Sequence, residues 1–155
     1  MADQRILELL LTDISIATQL LEILEQEFTA LSDRKLDTLQ ELLAKKQPAL
    51  RQLEQHSGER SQQLQKSNCT TNQEGLMQLA KQSPLGAQLL EGSAQLNNLL
   101  EQCQEANLRN GRLIRSNQIS VNSMLNIVRG ADAPTLYDKS GSASSSVKQR
   151  PFSQA

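Results

Sequence analysis

Apolar residues recur every seven positions along most of the chain, which is typical of helices that pack against other helices. Between residues 6 and 31 there are two such series, Leu7, Ile14, Leu21 and Phe28, and Leu10, Ala17, Leu24 and Leu31. A third series, Leu9, Ile16 and Ile23, lies on another side of the same helix. We therefore predict a helix over about residues 5–30, with an apolar face wide enough for more than one neighbour.

The same register continues in a second predicted helix, over about residues 33–66. Ser32 and Asp33 offer a cap for its start, and its stripe consists of Leu36, Leu39, Leu43, Leu50 and Leu53. Pro48 should bend this helix because it removes one backbone hydrogen bond. Beyond Leu53 the seam positions are taken by Ser57 and Arg60, so we expect the last part of the helix to be mostly solvated.

Two more helices and a tail complete the predicted fold. A short helix near residues 73–82 has Thr71 or Asn72 as its cap, and a long one over residues 84–129 begins at Ser83-Pro84 and ends at Gly130. Residues 131–155 are rich in Ser, Ala, Gly and Pro and should form a flexible tail. The sequence predicts an all-α antiparallel bundle, residues 1–130, followed by that tail.

The stretch NLRNGRLIRSNQ, residues 107–118, interrupts the pattern. Asn110 and Asn117 stand where the register of Leu89, Leu96 and Cys103 calls for leucine or isoleucine. A rotated stripe is expected to replace the original one, and it consists of Leu100, Asn107, Gly111, Ile114, Val121, Leu125 and Val128. Gly111 either permits close approach of a neighbouring helix or, with Asn110 and Asn117, forms a soft joint in the helix; the two readings are compatible.

Composition and charge argue against several classes of function. A formal net charge of -1 and 2% aromatic residues are not typical of a nucleic-acid-binding protein. No 18-residue apolar run and no secretory signal pattern occur, so we expect a cytoplasmic protein without membrane insertion. Cys69 and Cys103 form no CxxC motif and are expected to be reduced thiols.

Candidate catalytic chemistry is sparse. The single histidine, His56, suggests a phosphotransfer domain as one alternative, but Glu59 follows it closely and would repel a phosphate. We interpret His56 as a solvated surface residue, and the carboxylates Glu25 and Glu27 as solvated charges. Neither a metal site nor a cofactor site is indicated, and we predict no enzymatic activity.

Three elements in order resemble the FlgN family of bacterial flagellar export chaperones, over roughly residues 5–141. After a leucine-rich first helix comes an acidic start with leucines and a lysine, here Asp33, Leu36, Asp37, Leu39 and Lys45. The motif N-x-x-N-G-x-L-I follows as Asn107, Asn110, Gly111, Leu113 and Ile114, and Tyr-x-x-x-Gly as Tyr137 to Gly141. The sequence departs from the family at Asp138, where glycine is frequent.

The resemblance implies a protein that binds C-terminal helical segments of hook-associated proteins, the proteins of the hook–filament junction, and delivers them to the flagellar type III export gate. We expect the client surface in the last helix, at Leu108, Leu113, Ile114, Val121, Leu125 and Val128, unless these residues pack permanently on the first helix. By resemblance, Leu136 and Tyr137 would dock on the cytoplasmic domain of the gate; the alternative is an exposed tyrosine without a role. A permanently assembled scaffold subunit is the rival function, and the wide apolar face of the first helix is also compatible with a homodimer.

Overall fold

The computed structural model describes the backbone of residues 1–129 and the side chains of residues 1–117. This part of the chain forms four helices and no strand: α1 Ala2–Ser32, α2 Leu36–Lys66, α3 Gln73–Gln82 and α4 Gly86–Arg129. The predicted all-α fold is confirmed, with helix bounds within a few residues of those expected. Gly130 and the predicted tail, which includes Leu136 and Tyr137, lie outside the described residues.

The first helix, α1, is the centre of the fold, because α2 and α4 both pack against it. Its buried residues Ile6, Leu10 and Ala17 form one core cluster with leucines of the other three helices, Leu64, Leu76, Leu79, Leu89 and Leu96. A second cluster joins Leu20 and Leu24 to Cys103 and Ala106 of α4. The wide apolar face predicted for this helix is therefore covered by two neighbours. Each fully buried leucine in these clusters contributes about 1.5–3 kcal/mol.

Contacts between polar side chains fix the directions of the helices. Glu27 of α1 meets Lys46 early in α2, and Arg5 meets Glu59 near the end of α2, so these two helices are antiparallel. The short helix α3 follows at the end of the bundle where α1 starts, and α4 therefore begins there too. As a result α4 is antiparallel to α2 but runs parallel to α1.

Turn residues set the ends of the helices, partly as predicted. Neither Ser32 nor Asp33 caps α2: its N-cap is Lys35, which makes no side-chain capping bond, and Arg34 before it has a φ of 55°. At α3 the predicted cap is present, because the Gly75 N–H donates to Asn72 Oδ1 at 3.0 Å. An added Cβ at Gly75 would lie 1.6 Å from the carbonyl oxygen of Thr70, so the connection requires glycine there.

The start of α4 is tied to the start of α1. The Leu85 N–H donates to Ser83 Oγ at 2.9 Å, and the Ser83 hydroxyl donates to Asp3 Oδ2 at 2.6 Å. This second hydrogen bond favours the ionised carboxylate and lowers the pKa of Asp3. Ser83 therefore acts as the predicted capping residue, although the regular helix begins at Gly86.

The last part of α2 is not the solvated extension that its sequence suggested. Leu64 is buried in the core cluster of Ile6 and Leu10, and Arg60 reaches the buried Asp13 of α1. Helix α2 continues without a break through Pro48. The prediction failed because it counted apolar seam positions and gave no weight to a long polar side chain that bonds to a buried partner.

Candidate binding surface

Asn110 is a buried polar residue in the contact between α1 and α4. Its side chain is 1% exposed, and its Nδ2 donates to the Leu24 carbonyl oxygen at 2.9 Å and to Glu27 Oε1 at 2.8 Å. Its Oδ1 accepts from the Arg109 guanidinium. Every polar atom of this amide has a partner, so the expected end of the original stripe at this position is wrong: the register continues with a hydrogen-bonded residue instead of an apolar one.

Three side chains of α4 repeat this interaction at seven-residue intervals. Cys103 Sγ donates to the carbonyl oxygen of Ala17 at 3.6 Å, and Asn110 to that of Leu24 at 2.9 Å. Asn117 Nδ2 lies 3.4 Å from the carbonyl oxygen of Leu31, at the end of α1. Burial raises the pKa of the Cys103 thiol. The seam becomes more polar towards the end of α1, where each hydrogen bond contributes only about 1 kcal/mol.

A lysine of α2 links all three long helices at this level. Lys46 Nζ lies 3.3 Å from Glu27 Oε2 and 3.2 Å from Asn107 Oδ1. Glu27 is thus buried and bound by Lys46 and Asn110, which corrects the interpretation of this carboxylate as a solvated charge. Its partners are 19 and 83 residues away in sequence, so no local pattern indicated its burial.

Arg109 lies on the other side of the same seam. Its Cζ is 4.1 Å from the centroid of the Phe28 ring, and its Nη1 is 3.2 Å from Glu25 Oε1. The guanidinium also donates to Asn110 Oδ1. The arginine therefore orients the buried amide while it covers an aromatic ring.

An open groove separates α2 from α4. Both helices pack on α1 and make little contact with each other, which leaves a space of about 600 Å³ between them. Leu20 and Leu24 of α1 form its floor, and its walls are lined by Leu43, Leu50, Leu53 and Leu100, among others. We call this space the α2–α4 groove.

Three exposed leucines lie along one side of α2, and two of them, Leu43 and Leu50, line this groove. Leu36, Leu43 and Leu50 are spaced by seven residues and are 71%, 48% and 42% exposed. In the sequence they belonged to the predicted seam, but the leucines that α2 buries are Leu42 and Leu64. The heptad pattern placed these leucines on one edge of α2. It did not show that the described helices leave this edge exposed.

The structure separates some of the predicted client-binding residues. Leu108 and Ile114 are both exposed, but six residues put them about 120° apart around α4. Leu108 borders the Glu25 and Arg109 side of the helix, whereas Ile114 continues the line of Leu100 and Asn107 at the groove. Leu113 is half-buried and Gly111 is buried. The side chains of Val121, Leu125 and Val128 lie outside the described part.

A buried ionic cluster joins α1 and α2 away from this surface. Asp13 is fully buried, with His56 Nδ1 2.5 Å from its Oδ1 and the Arg60 guanidinium bonded to its Oδ2. His56 is therefore not the solvated surface histidine that the sequence suggested. A signal was present in the sequence: Asp13 lies between Leu10 and Ile16, on the apolar side of the first helix.

Within the described residues, no three His, Cys, Asp or Glu side chains converge in a way that would hold a metal ion. None of the helices, as far as they are described, carries a stretch apolar enough to cross a membrane.

Comparisons with known proteins agree with this architecture. The family described as FlgN protein matches residues 1–145. A crystal structure of a flagella synthesis protein FlgN from Pseudomonas aeruginosa is similar with a TM-score of 0.68 and 45% sequence identity, over 79% of this chain and 94% of that chain. No curated protein matches the sequence. The resemblance found in the sequence motifs is confirmed, and the chain belongs to the FlgN family.

Proposed function

We propose that this protein is a cytoplasmic export chaperone of the bacterial flagellum that binds C-terminal helical segments of hook-associated proteins. It would keep them unassembled and deliver them to the cytoplasmic domain of the type III export gate. Membership of the FlgN family supports a chaperone role in flagellum assembly. The finer statement, with these clients and this gate, rests on the sequence motifs and on the surface of α4.

The observation that carries the proposal is the exposure of Ile114 on α4, beside a seam that is polar. Ile114 is exposed and lies seven residues beyond Asn107, which lines the groove, and Val121 and Leu125 follow it at helical spacing in the sequence. An amphipathic client helix binds through apolar anchors spaced in this way. We assign client binding to Ile114, Val121, Leu125 and Val128 with Leu113 beside them, and to Leu108 on the Glu25 and Arg109 side of the helix.

The polar seam supports a second part of the proposal. Asn110 and Asn117 hold α4 to carbonyl oxygens of α1, and each such hydrogen bond contributes about 1 kcal/mol, less than a buried leucine. Together with Gly111, which weakens the helix by about 1 kcal/mol relative to alanine, they would form a joint. Such a joint lets the end of α4 adjust to a client while the clusters near Ile6 and Leu24 stay packed.

The rival function is a scaffold subunit permanently assembled with copies of itself. A permanent coiled coil keeps its seam mostly apolar and pairs a polar seam residue with the partner helix, whereas Asn110 and Asn117 of this seam are both bonded within a single chain. We therefore favour the chaperone, and a pull-down from a flagellated bacterial lysate separates the two functions. Recovery of a hook-associated protein supports the chaperone, and recovery of the protein alone supports the scaffold.

Calorimetric titration with the C-terminal segment of a hook-associated protein tests the client surface. Loss of one apolar anchor costs about 1–2 kcal/mol, so Ile114→Asp and Leu125→Asp should each weaken binding about 5- to 30-fold. Leu11→Asp is the matched control, because Leu11 is 57% exposed near the start of α1. Thermal melts of the variants should remain close to that of the native protein. Native affinity in both α4 variants, or a large loss of stability, would contradict this surface.

For gate docking, we propose Leu136 and Tyr137 as the anchors. A tyrosine in a polar segment offers a large contact area at a small cost in side-chain entropy. Tyr137→Ala should weaken binding to the cytoplasmic domain of the export gate without weakening client binding or changing the fold. If Tyr137→Ala and the native protein bind the cytoplasmic domain of the gate with equal affinity in a titration, this assignment is refuted.

A further inference from the structure

The α2–α4 groove is an apolar surface that the described residues leave open. Leu43 and Leu50 line it on α2 and Leu20 and Leu24 of α1 form its floor, and the exposed Leu36 lies seven residues before Leu43 on the same side of α2. Contiguous exposed apolar surface on a protein marks a site of interaction. The seven-residue spacing on α2 and the line of Leu100 and Ile114 on α4 give this surface the form of a trough along the bundle.

We propose that the chain's own residues 131–155 occupy this groove in the free protein, with Leu136 and Tyr137 seated at its Leu36–Leu43 end beside Ile114. Two apolar side chains in sequence match the two walls there, one formed by leucines of α2 and the other by Ile114 of α4. This inference concerns a contact within the chain and holds whether or not the proposed client is correct.

The length of the chain beyond α4 permits this contact. From Ile114 to Arg129 the helix axis measures about 22 Å, at 1.5 Å per residue. The eight residues from Arg129 to Tyr137 span up to about 26–29 Å when extended, so Tyr137 reaches back to the level of Ile114 and the Leu36–Leu43 end of the groove. Lys46 and Asn107 meet across the groove between Leu43 and Leu50, so the seat is confined to the Leu36–Leu43 end.

The sequence of the connection is suited to a reversal. Gly130 follows the last residue of α4, and glycine is the residue that most readily takes the left-handed conformation that ends a helix. Pro134 disfavours helix at the residue before it and favours an extended backbone. A segment tethered so closely has an effective concentration in the millimolar range, so two apolar anchors are enough to keep the groove occupied for most of the time.

Ile114 belongs both to this seat and to the proposed client surface, so the tail and a client helix exclude each other there. This competition is the one step that rests on the proposed function. A client would have to displace the tail, and its apparent affinity for the full chain would be lower than for a chain without residues 131–155. A seated Tyr137 is also withheld from any other partner until the tail leaves the groove.

The composition of the chain provides a direct test, because Tyr137 is its only tyrosine and it has no tryptophan. Intrinsic fluorescence of the full-length protein therefore reports on this residue alone. We expect acrylamide to quench Tyr137 several-fold less in the native protein than in urea. Leu36→Ser and Leu43→Ser should each raise quenching towards the urea value, while Leu11→Ser, at the opposite end of the bundle, leaves it unchanged. Circular dichroism verifies that these exposed positions tolerate serine.

Three results would overturn the proposal. The first is full quenching of Tyr137 in the native protein, and the second is protection that persists in both groove variants. The third is protection that disappears on dilution, which would assign the groove to a second copy of the chain. A C-terminal segment of a hook-associated protein, added last, should release Tyr137 to the quencher. A segment that fails to bind contradicts the proposed function but leaves protection of Tyr137 in the free protein as support for the seated tail.

Discussion

Removal of the Arg60 guanidinium should destabilise the fold far more than its place in the sequence suggests. Arg60→Met keeps the length of the side chain but leaves the fully buried Asp13 with His56 as its remaining partner. Loss of one partner from a buried ion pair costs about 3–5 kcal/mol, mostly because a buried charge is left uncompensated. Since His56 Nδ1 still lies 2.5 Å from Asp13 Oδ1, we expect a loss of about 2–3 kcal/mol in the free energy of unfolding.

Urea denaturation followed by helical circular dichroism measures this loss at neutral pH. For a chain of this size the change corresponds to a decrease of about 4–12 °C in Tm. The double variant Asp13→Leu/Arg60→Met removes the buried charge together with its partner. Its stability should return to within about 1 kcal/mol of the native value or exceed it, because an apolar pair of similar volume replaces a buried ion pair without loss.

A matched control is the exposed ion pair that joins the same two helices. Arg5 Nε lies 2.6 Å from Glu59 Oε1, but both side chains are largely accessible to water. Glu59→Gln should therefore change stability only slightly, because solvent screens this pair. The reasoning fails if Arg60→Met is no more destabilising than Glu59→Gln, or if the double variant is as unstable as Arg60→Met alone.

Three further variants have opposite or pH-dependent effects. Gly58→Ala should raise the free energy of unfolding by about 0.5–1 kcal/mol, because no atom lies within 4 Å of the added Cβ in α2. Gly75→Ala should lower it, because the Cβ would collide with Thr70; urea denaturation curves that shift the same way for both would contradict this. Ser83→Ala should return the pKa of Asp3 towards 3.8 in an NMR titration. In the native protein the lowered pKa of Asp3 stabilises the fold at pH values above the pKa of the unfolded chain. This stabilisation is lost as the pH falls through the lowered pKa of the folded protein. An Asp3 pKa that is unchanged in Ser83→Ala would show that the Ser83 hydrogen bond is not its cause.

The sequence predicted the helices well, because each has a long apolar repeat and recognisable ends. It failed for polar residues on buried faces. Glu27, Arg60 and Asn110 were interpreted as solvated charges or as the end of a seam, yet each is bonded to a group distant in sequence. A repeat counts apolar positions, whereas burial of a polar side chain depends on a partner that only the tertiary fold supplies.

The candidate surface was predicted in part for a related reason. The heptads of α2 placed Leu36, Leu43 and Leu50 on one edge, but a periodic pattern cannot tell which neighbour covers an edge or whether any does. The direction of α4 depends on the end of the bundle at which α3 lies, and α3 is too short for its apolar pattern to show this. The exposed groove follows from that direction and was not expected.

The parallel arrangement of α1 and α4 has a consequence for the order of folding during synthesis. The contacts of Ala17 with Cys103 and of Leu24 with Asn110 each join residues 86 positions apart, whereas α1 and α2 are consecutive and form a local hairpin. Contacts between distant residues form later because a longer loop must be closed. At about 5–20 residues per second on the ribosome, Ala17 waits several seconds for Cys103 to be made. During that interval the nascent chain exposes the apolar side of α1 that α4 will cover, so the chaperone itself passes through a stage in which its own hydrophobic helix needs protection.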